Sequence, residues 1–351
     1  MSGPLPGALD PLTVPASMLY RLAINARNAR FDRGHGVASL DRPVISVGNL
    51  TTGGVGKTPM VMWIVELLHR NDYRPVIGMR GYGARRGERS DEEAEYLDRL
   101  DDVPVVADPD RAAALGKFLA DHREVDCVVL DDGFQHRRIA RRLDLVLIDA
   151  SRRTFSDRLL PAGYLREPIT NLRRADAVIV TRAESVDESL SAQIAQNLGK
   201  PPVAWSRHMW SHLDVWTAGG MTSVETEWLA GKRVLATLGV GHPGSIVKQL
   251  QAVGAEVVVD VPASDHHDYD SAQLSTLQTR CDRLDAMVTT AKDWVKIRRL
   301  IDLERWPVPV VVPRLSIEVF HGSGELEDLL LAAVARSGAT LAQKAGSSGG
   351  M

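Results

Sequence analysis

An α/β fold is predicted for this chain: a mostly parallel sheet flanked by helices, followed by a second, smaller α/β domain. Three observations predict it. Short apolar runs alternate with helix-compatible segments through about the first 200 residues, the pattern of strands whose returns are helices. The alternation breaks between positions 205 and 232 and restarts at Val234. One apolar run, Val44 to Val47, ends in a glycine-rich loop that leads directly into a helical pattern.

The elements follow in order. Pro43–Val47 reads as a strand and Met60–Arg70 as the helix after it. Pro75–Gly78 is the next strand, Asp110–Asp121 a helix, and Val125–Leu130, Leu143–Ile148 and Ala177–Val180 are further buried strands, with Glu188–Leu198 a helix. Continuous apolar runs of this kind suit strands covered on both faces. In the second series Val234–Leu238, Glu256–Val259, Ala286–Thr289 and Val308–Val312 read as strands, with helices at Gly244–Val253 and Ser271–Arg283. The expected organisation is an N-terminal helix region (1–40), a phosphate-loop core (41–204), a linker (205–232), a C-terminal α/β domain (233–335) and a disordered tail (336–351).

The 351 residues suffice for two cores. With 44% apolar and 25% charged residues and a net charge of -3, the chain has an ordinary globular composition and no basic field for nucleic acid. Cys127 and Cys281 fit no metal spacing, which points to a reduced, cytosolic setting. No run of about 18 apolar residues spans a bilayer, and no secretory signal pattern opens the chain. Pro15 to Arg33 is helix-compatible, with Met18, Leu19, Leu22 and Ala26 beside Arg21, Arg27, Arg30 and Arg33. Such a helix either packs on the core with a basic face in solvent or lies on an anionic membrane surface.

The glycine-rich segment Gly48-Asn-Leu-Thr-Thr-Gly-Gly-Val-Gly-Lys-Thr-Pro59 is a phosphate cradle, giving the fold a P-loop NTPase-like core. The amides of Thr51, Thr52, Gly53, Gly54, Val55 and Gly56 and the following helix N-terminus face an anion, Lys57 reaches the β- and γ-phosphates of ATP, and Thr58 suits Mg²⁺. Thr51 stands where the usual spacing has glycine. A second element, Val125 to His136, is a buried strand ending in Asp131-Asp132, the Walker-B arrangement that holds Mg²⁺ and its waters at the sheet edge; adjacent acids there also suit a turn or cap.

Five weaker constellations accompany these. Arg80-Gly-Tyr-Gly83 precedes Asp91-Glu92-Glu93, acids that also favour a solvated helix start. Ser264-Asp-His-His-Asp-Tyr269 offers a metal ligand, an acid–base relay or a polar turn. Arg166 in Leu159 to Pro168 can clamp a phosphate, and Arg137, Arg138, Arg141 and Arg142 form a basic cluster able to dock an anion or simply face solvent. Thr289-Thr-Ala-Lys-Asp293 caps a helix or touches nucleotide.

In this order the motifs resemble the tetraacyldisaccharide 4'-kinases (lipid A 4'-kinases), over about positions 15 to 320. The matching pieces are the loop from Gly48, including Thr51, then Arg80-Gly-Tyr-Gly83, Leu130-Asp-Asp-Gly-Phe-Gln-His136, Leu160-Pro-Ala-Gly163 with Leu165-Arg-Glu-Pro168, Asp265-His-His267 and Lys292-Asp293. The resemblance implies phosphoryl transfer from ATP to the 4'-hydroxyl of a tetraacyl glucosamine disaccharide 1-phosphate, the lipid A precursor, giving lipid IVA. It also implies two α/β domains joined by a short β linker, catalysis in a cleft, and an N-terminal helix on the cytoplasmic face of the inner membrane, peripheral or monotopic. Carried over, Asp91 is the general base, with His266 or His267 as its partner. Asn49, Arg80, Gln135, His136, Arg137 and Arg166 are the candidate substrate contacts. Ser90, Met79 and Ala291 depart from the family pattern, which has Gly, Ser and Glu there. No nucleic acid and no obligate protein partner is expected. Two other readings remain: a partitioning or regulatory ATPase, which would carry lysine where this chain has Thr52, and a P-loop kinase with a soluble small-molecule substrate.

Overall fold

Period-two alternation builds the sheet. In the strand Val44–Asn49 (β1), Ile45 and Val47 face one apolar layer and Val44 the other. The computed structural model describes residues 10–81, 90–100, 102–239, 243–260 and 269–335, with only the backbone at 10–12, 91–92 and 259–260. After β1 the strands are β2 (Pro75–Met79), β3 (Val105–Ala107), β4 (Cys127–Asp131), β5 (Leu143–Asp149), β6 (Ala177–Thr181), β7 (Ala204–Thr217), β8 (Gly220–Val224), β9 (Arg233–Thr237), β10 (Glu256–Asp260), β11 (Ala286–Thr289) and β12 (Val310–His321). The helices are α1 (Asp10–Asp32), α2 (Lys57–Arg70), α3 (Asp91–Arg99), α4 (Arg111–Asp121), α5 (Glu188–Leu198), α6 (Pro243–Ala252), α7 (Ser271–Cys281), α8 (Ala291–Ile297) and α9 (Ser323–Val334).

Two compact units result, one formed by the chain up to Arg207 and from Ile317 onward, the other by His208–Ser316. In the first, strand order is β3-β2-β4-β1-β5-β6-β7, and the pairs from β2–β3 to β6–β7 are parallel. From β1 the chain moves out to β2 and the edge strand β3, returns to β4 beside β1, and then continues on the other side through β5, β6 and β7. Its direction of progress thus switches at β1 and opens a crevice at the sheet's carboxyl end. Cys127 and Val129 on β4 and Leu145 and Leu147 on β5 join Ile64 and Leu68 of α2 in one layer. On the opposite face, Val128 and Leu130 pack with Leu115 of α4, and Val146 and Ile148 with Phe134 and Leu172.

In the second unit β10-β9-β11-β12 are neighbours, and β8 pairs antiparallel with β7 from Leu213↔Val224 to Thr217↔Gly220. Thr290 caps α8, accepting from the Asp293 amide at 3.2 Å. The buried Asp293 carboxylate in turn accepts from the Gly239 amide at 2.9 Å and the Thr290 hydroxyl at 2.7 Å. The Lys292-Asp293 motif therefore has a helix-capping task here.

The stretch 205–232 carries most of β7 and all of β8, and the second unit starts at His208. At the other end, α9 lies in the first unit, where Leu326, Leu330, Ala333 and Val334 enter the layer of Ile45 and Ile64. An amphipathic helix carries no sign of which core its apolar stripe will meet. The tail 336–351 lies outside the described residues.

Candidate active site

The phosphate loop leaves β1 through Gly48, where a Cβ would lie 2.5 Å from the Cβ of buried Phe134; only glycine fits that approach. Asn49 is fully buried. Its Nδ2 donates to Thr51 O at 2.7 Å and Thr51 Oγ1 at 3.2 Å, and its Oδ1 accepts from Lys57 Nζ at 3.2 Å. This gives Asn49 a task inside the loop, aiming Lys57, and gives Thr51 a polar partner that glycine would lack. A short ladder holds the loop's first arm: Thr52 N donates to Tyr164 O at 2.7 Å and Arg166 N to Leu50 O at 2.7 Å. Thr181 Oγ1 secures the second arm by donating to Val55 O at 2.8 Å. Gly56, at φ 87°, turns the chain into α2, whose first residue is Lys57.

The two adjacent acids after the Walker-B strand point to different partners. Asp131, 3% exposed, accepts from the Tyr96 hydroxyl at 2.9 Å, and the Thr58 side chain is hydrogen-bonded to the same phenol. Burial and the Asp131 charge together push the Tyr96 hydroxyl well above its ordinary pKa, so it stays a donor. Asp132 sits at φ 49°, in the left-handed region, which swings its carboxylate to Lys57 Nζ at 3.3 Å and Arg166 Nη1 at 2.8 Å. Burial opposes ionisation there, but Lys57 and Arg166 outweigh it and hold the carboxyl below its usual range. Thr58 and the two aspartates are hard oxygen donors, a set that fits Mg²⁺ completed by phosphate and water. No larger cluster of His, Cys, Asp and Glu able to hold a metal occurs among the described residues.

Gln135 Nε2 donates to Asn49 O at 2.9 Å. Arg111, 3% exposed, clamps the turn from beneath, donating to Asp131 O at 2.8 Å and Asp132 O at 3.3 Å. Burial, then Arg111, Arg141 and Arg138, pushes the His136 imidazole down to about 4, leaving it neutral at pH 7. Arg137 is engaged with α1, donating to Asp32 Oδ1 at 2.7 Å and Asn28 O at 3.1 Å. Arg80 follows β2 at the same carboxyl edge of the sheet as the loop.

Helix α1 rests on the Arg166 loop. Ser17 Oγ donates to Leu159 O at 3.0 Å, and Tyr20 donates to Arg166 O at 2.9 Å. Fully buried Glu167 accepts from Asn28 at 3.0 Å, Arg27 at 3.2 Å, Asn171 at 2.8 Å and Arg174 at 2.8 Å. The opposite face of α1 exposes Met18, Leu19 and Leu22 at 65–69%. Glu167, Tyr96 and Arg111 escaped sequence reasoning. Glu167 stood in a quoted motif beside Arg166, whereas nothing local marked Tyr96.

Asp91 opens α3, with Ser90 as the cap accepting from the Glu93 amide at 3.2 Å; its side chain is outside the described residues. Tyr82, Gly83, Asp265, His266 and His267 also lie outside them.

Residues 9–335 match the family described as tetraacyldisaccharide-1-P 4'-kinase. A tetraacyldisaccharide 4'-kinase of Anaeromyxobacter sp. (strain Fw109-5) is 36% identical, the match covering 96% of this chain and 95% of that one. The Geobacter sulfurreducens protein of the same name is 33% identical over 82% of this chain and 83% of its own. The crystal structure of Aquifex aeolicus LpxK in complex with ATP superposes with a TM-score of 0.66 at 30% identity, covering 92% of this chain and 98% of that one.

Proposed function

Because the chain belongs to the tetraacyldisaccharide 4'-kinase family, an ATP-dependent kinase family acting on a lipid A precursor, we propose that it phosphorylates the 4'-hydroxyl of a tetraacyl glucosamine disaccharide 1-phosphate with the residues described above. The observation that carries this assignment of roles is the shared carboxylate of Asp132, which occupies both Lys57 and Arg166. Two cations on one carboxylate leave a surplus positive charge where a polyphosphate would enter, and a phosphate can replace Asp132 as their partner.

The loop amides and the α2 N-terminus bind the polyphosphate, and Lys57, aimed by Asn49, bridges its outer phosphates. Thr58 and Asp131 would hold Mg²⁺, with Asp132 joining once its cations turn to phosphate. A bound ion there would supply neutralisation of the charge that builds on the phosphoryl group. Asp91 takes the proton of the acceptor hydroxyl, a group too weakly acidic to attack unaided at neutral pH. Arg166 steadies the phosphoryl group, and Arg80, Gln135 and His136 contact the sugar acceptor. The exposed apolar face of α1 rests on an anionic inner-membrane surface, from the cytoplasmic side. No helix among the described residues is long and apolar enough to cross a membrane.

The test is ATP consumption with and without the detergent-solubilised lipid A precursor. Strict dependence on the lipid is expected. Turnover driven by DNA or by empty vesicles alone would instead assign a switch ATPase.

A further inference from the structure

A second pair of cations gathers at the carboxyl end of β5, and one of them touches the phosphate loop. The Asp149 carboxylate, fully buried at the end of β5, pairs with Arg182 Nη1 at 2.8 Å and Arg152 Nε at 3.6 Å. Ser151 fixes its other oxygen, donating from its amide at 2.9 Å and its hydroxyl at 2.6 Å. Arg152 then reaches over the loop, and Nη1 donates to Thr52 O at 3.0 Å. Its Nη2 lies 3.1 Å from the position a Cβ on Gly53 would take and has no hydrogen-bond partner among the described residues. Gly53, at φ 93°, therefore leaves the space in which the guanidinium lies flat against the loop.

The place matters because the loop has two ends of different chemistry. Lys57 reaches the outer phosphates from the loop's second arm, and Arg152 rests on its first arm, Thr52-Gly53. A guanidinium there carries a delocalised charge and a planar fork of donors that match phosphoryl oxygens. Asp149 neutralises only one of the two arginines that share it, and its burial fixes their guanidinium groups before substrate arrives.

We propose that Arg152 is a further catalytic residue, an arginine supplied by the chain itself to the equatorial oxygens of the transferring phosphoryl group. This rests on the kinase reading above. In the step, the acceptor hydroxyl oxygen forms a bond to the γ-phosphorus as the bond from that phosphorus to the β–γ bridging oxygen breaks. The bonding pair leaves on the β-phosphate of ADP, and the hydroxyl proton passes to the base. Arg152 forms and breaks no covalent bond; it takes up the charge spread over the γ-oxygens while the phosphorus is between partners. Asp149 is a positioning residue acting through it.

The experiment compares wild type, Arg152→Ala and Arg152→Gln for transfer to the detergent-solubilised tetraacyl disaccharide 1-phosphate, for ADP affinity and for the urea unfolding midpoint. Glutamine keeps an N–H donor for the Thr52 carbonyl and loses the charge. Both variants are expected to lower kcat by about 10³-fold, the usual worth of such an arginine. ADP affinity and the midpoint should stay at wild-type values, since ADP lacks the phosphate that Arg152 serves. Low-millimolar guanidinium should restore part of the Arg152→Ala rate. An Arg152→Gln enzyme with wild-type kcat, or a loss of ADP affinity as large as the loss of kcat, overturns the proposal and leaves Arg152 as a support of the loop. A wild-type protein that transfers nothing to the lipid overturns the kinase reading together with the proposal. An active wild type with an unaffected Arg152→Gln overturns the proposal alone.

Discussion

Tyr96 donates its phenolic hydrogen to Oδ2 of Asp131 at 2.9 Å, and the same phenol is hydrogen-bonded to Thr58. One side chain thus joins two of the residues proposed to hold Mg²⁺. Tyr96 stands on α3, whose first residue is Asp91, so the contact also ties the helix carrying the proposed base to the end of β4. Removing the hydroxyl leaves the ligands present but unaligned. Groups that orient metal ligands typically contribute 10- to 100-fold to affinity, so Tyr96→Phe should raise the Mg²⁺ concentration for half-maximal rate by about that factor. Initial rates against free Mg²⁺ measure it, and an unchanged Mg²⁺ dependence would take Tyr96 out of this role.

Glu167 is the anchor of α1. Its carboxylate is inaccessible, and Arg174, 17% exposed, is its best-shielded charged partner, while Arg27, 40% exposed, is weakened by solvent. Glu167→Ala would strand a buried guanidinium and two amides, a defect that costs about 3–5 kcal/mol when a buried pair is broken. Glu167→Gln retains a carbonyl acceptor and should lose less. Urea unfolding at pH 7 reads both, and a loss below about 1 kcal/mol for the alanine variant would show that α1 is held elsewhere.

What the sequence disclosed here was local. The strands around the loop are continuous apolar runs, and Gly-Lys-Thr sits where strand meets helix, so the core and its phosphate site were legible from neighbours in the chain. Glu167 was not, because its partner Asn28 is 139 positions away and a single acid predicts no partner. The separation of Asp131 from Asp132 depends on one left-handed φ at a non-glycine residue, which composition does not encode. Likewise the apolar stripe of α9 is visible in sequence, but its destination beside β1 is not.

Neutral His136 makes stability depend on pH. Burial and the surrounding arginines push it down to about 4, against about 6.5 in an unfolded chain. The unfolded state therefore binds more protons between these values, and stability falls as pH drops through that window. With allowance for partial exposure, about 1–2 kcal/mol should be lost between pH 7 and 5. His136→Gln should lose correspondingly less. Unfolding free energies at both pH values test this, and equal losses in variant and wild type would assign the pH effect to other groups.

Asp91 is proposed as the base, a role whose removal typically lowers kcat by about 10²–10⁴-fold. Asp91→Ala should show that loss with the KM for ATP nearly unchanged, because the nucleotide is held by the loop, Lys57 and Mg²⁺. The helix start itself should persist, since Ser90 supplies the cap. Steady-state kinetics varying ATP and lipid separately decide the matter: wild-type kcat removes Asp91 from proton transfer, and a raised KM for ATP moves it toward nucleotide binding.

The outer face of α1 offers the sharpest test of membrane association. Its inner residues Ser17, Tyr20 and Asn28 are committed to the Arg166 loop, which leaves Leu19 at 69% and Leu22 at 66% exposure facing outward. Arg21 and Arg30, also exposed, flank them with charge suited to anionic headgroups. Burying a leucine side chain contributes about 1.5–3 kcal/mol, so Leu19→Glu with Leu22→Glu should weaken binding to anionic vesicles by roughly 10²-fold or more. The fold should tolerate the change, since neither side chain packs inside, and the urea midpoint should hold. Vesicle cosedimentation across salt concentrations measures the binding. Unchanged partitioning of the double variant would mean that α1 serves only as a brace for the Arg166 loop, and that the protein meets its lipid by another surface.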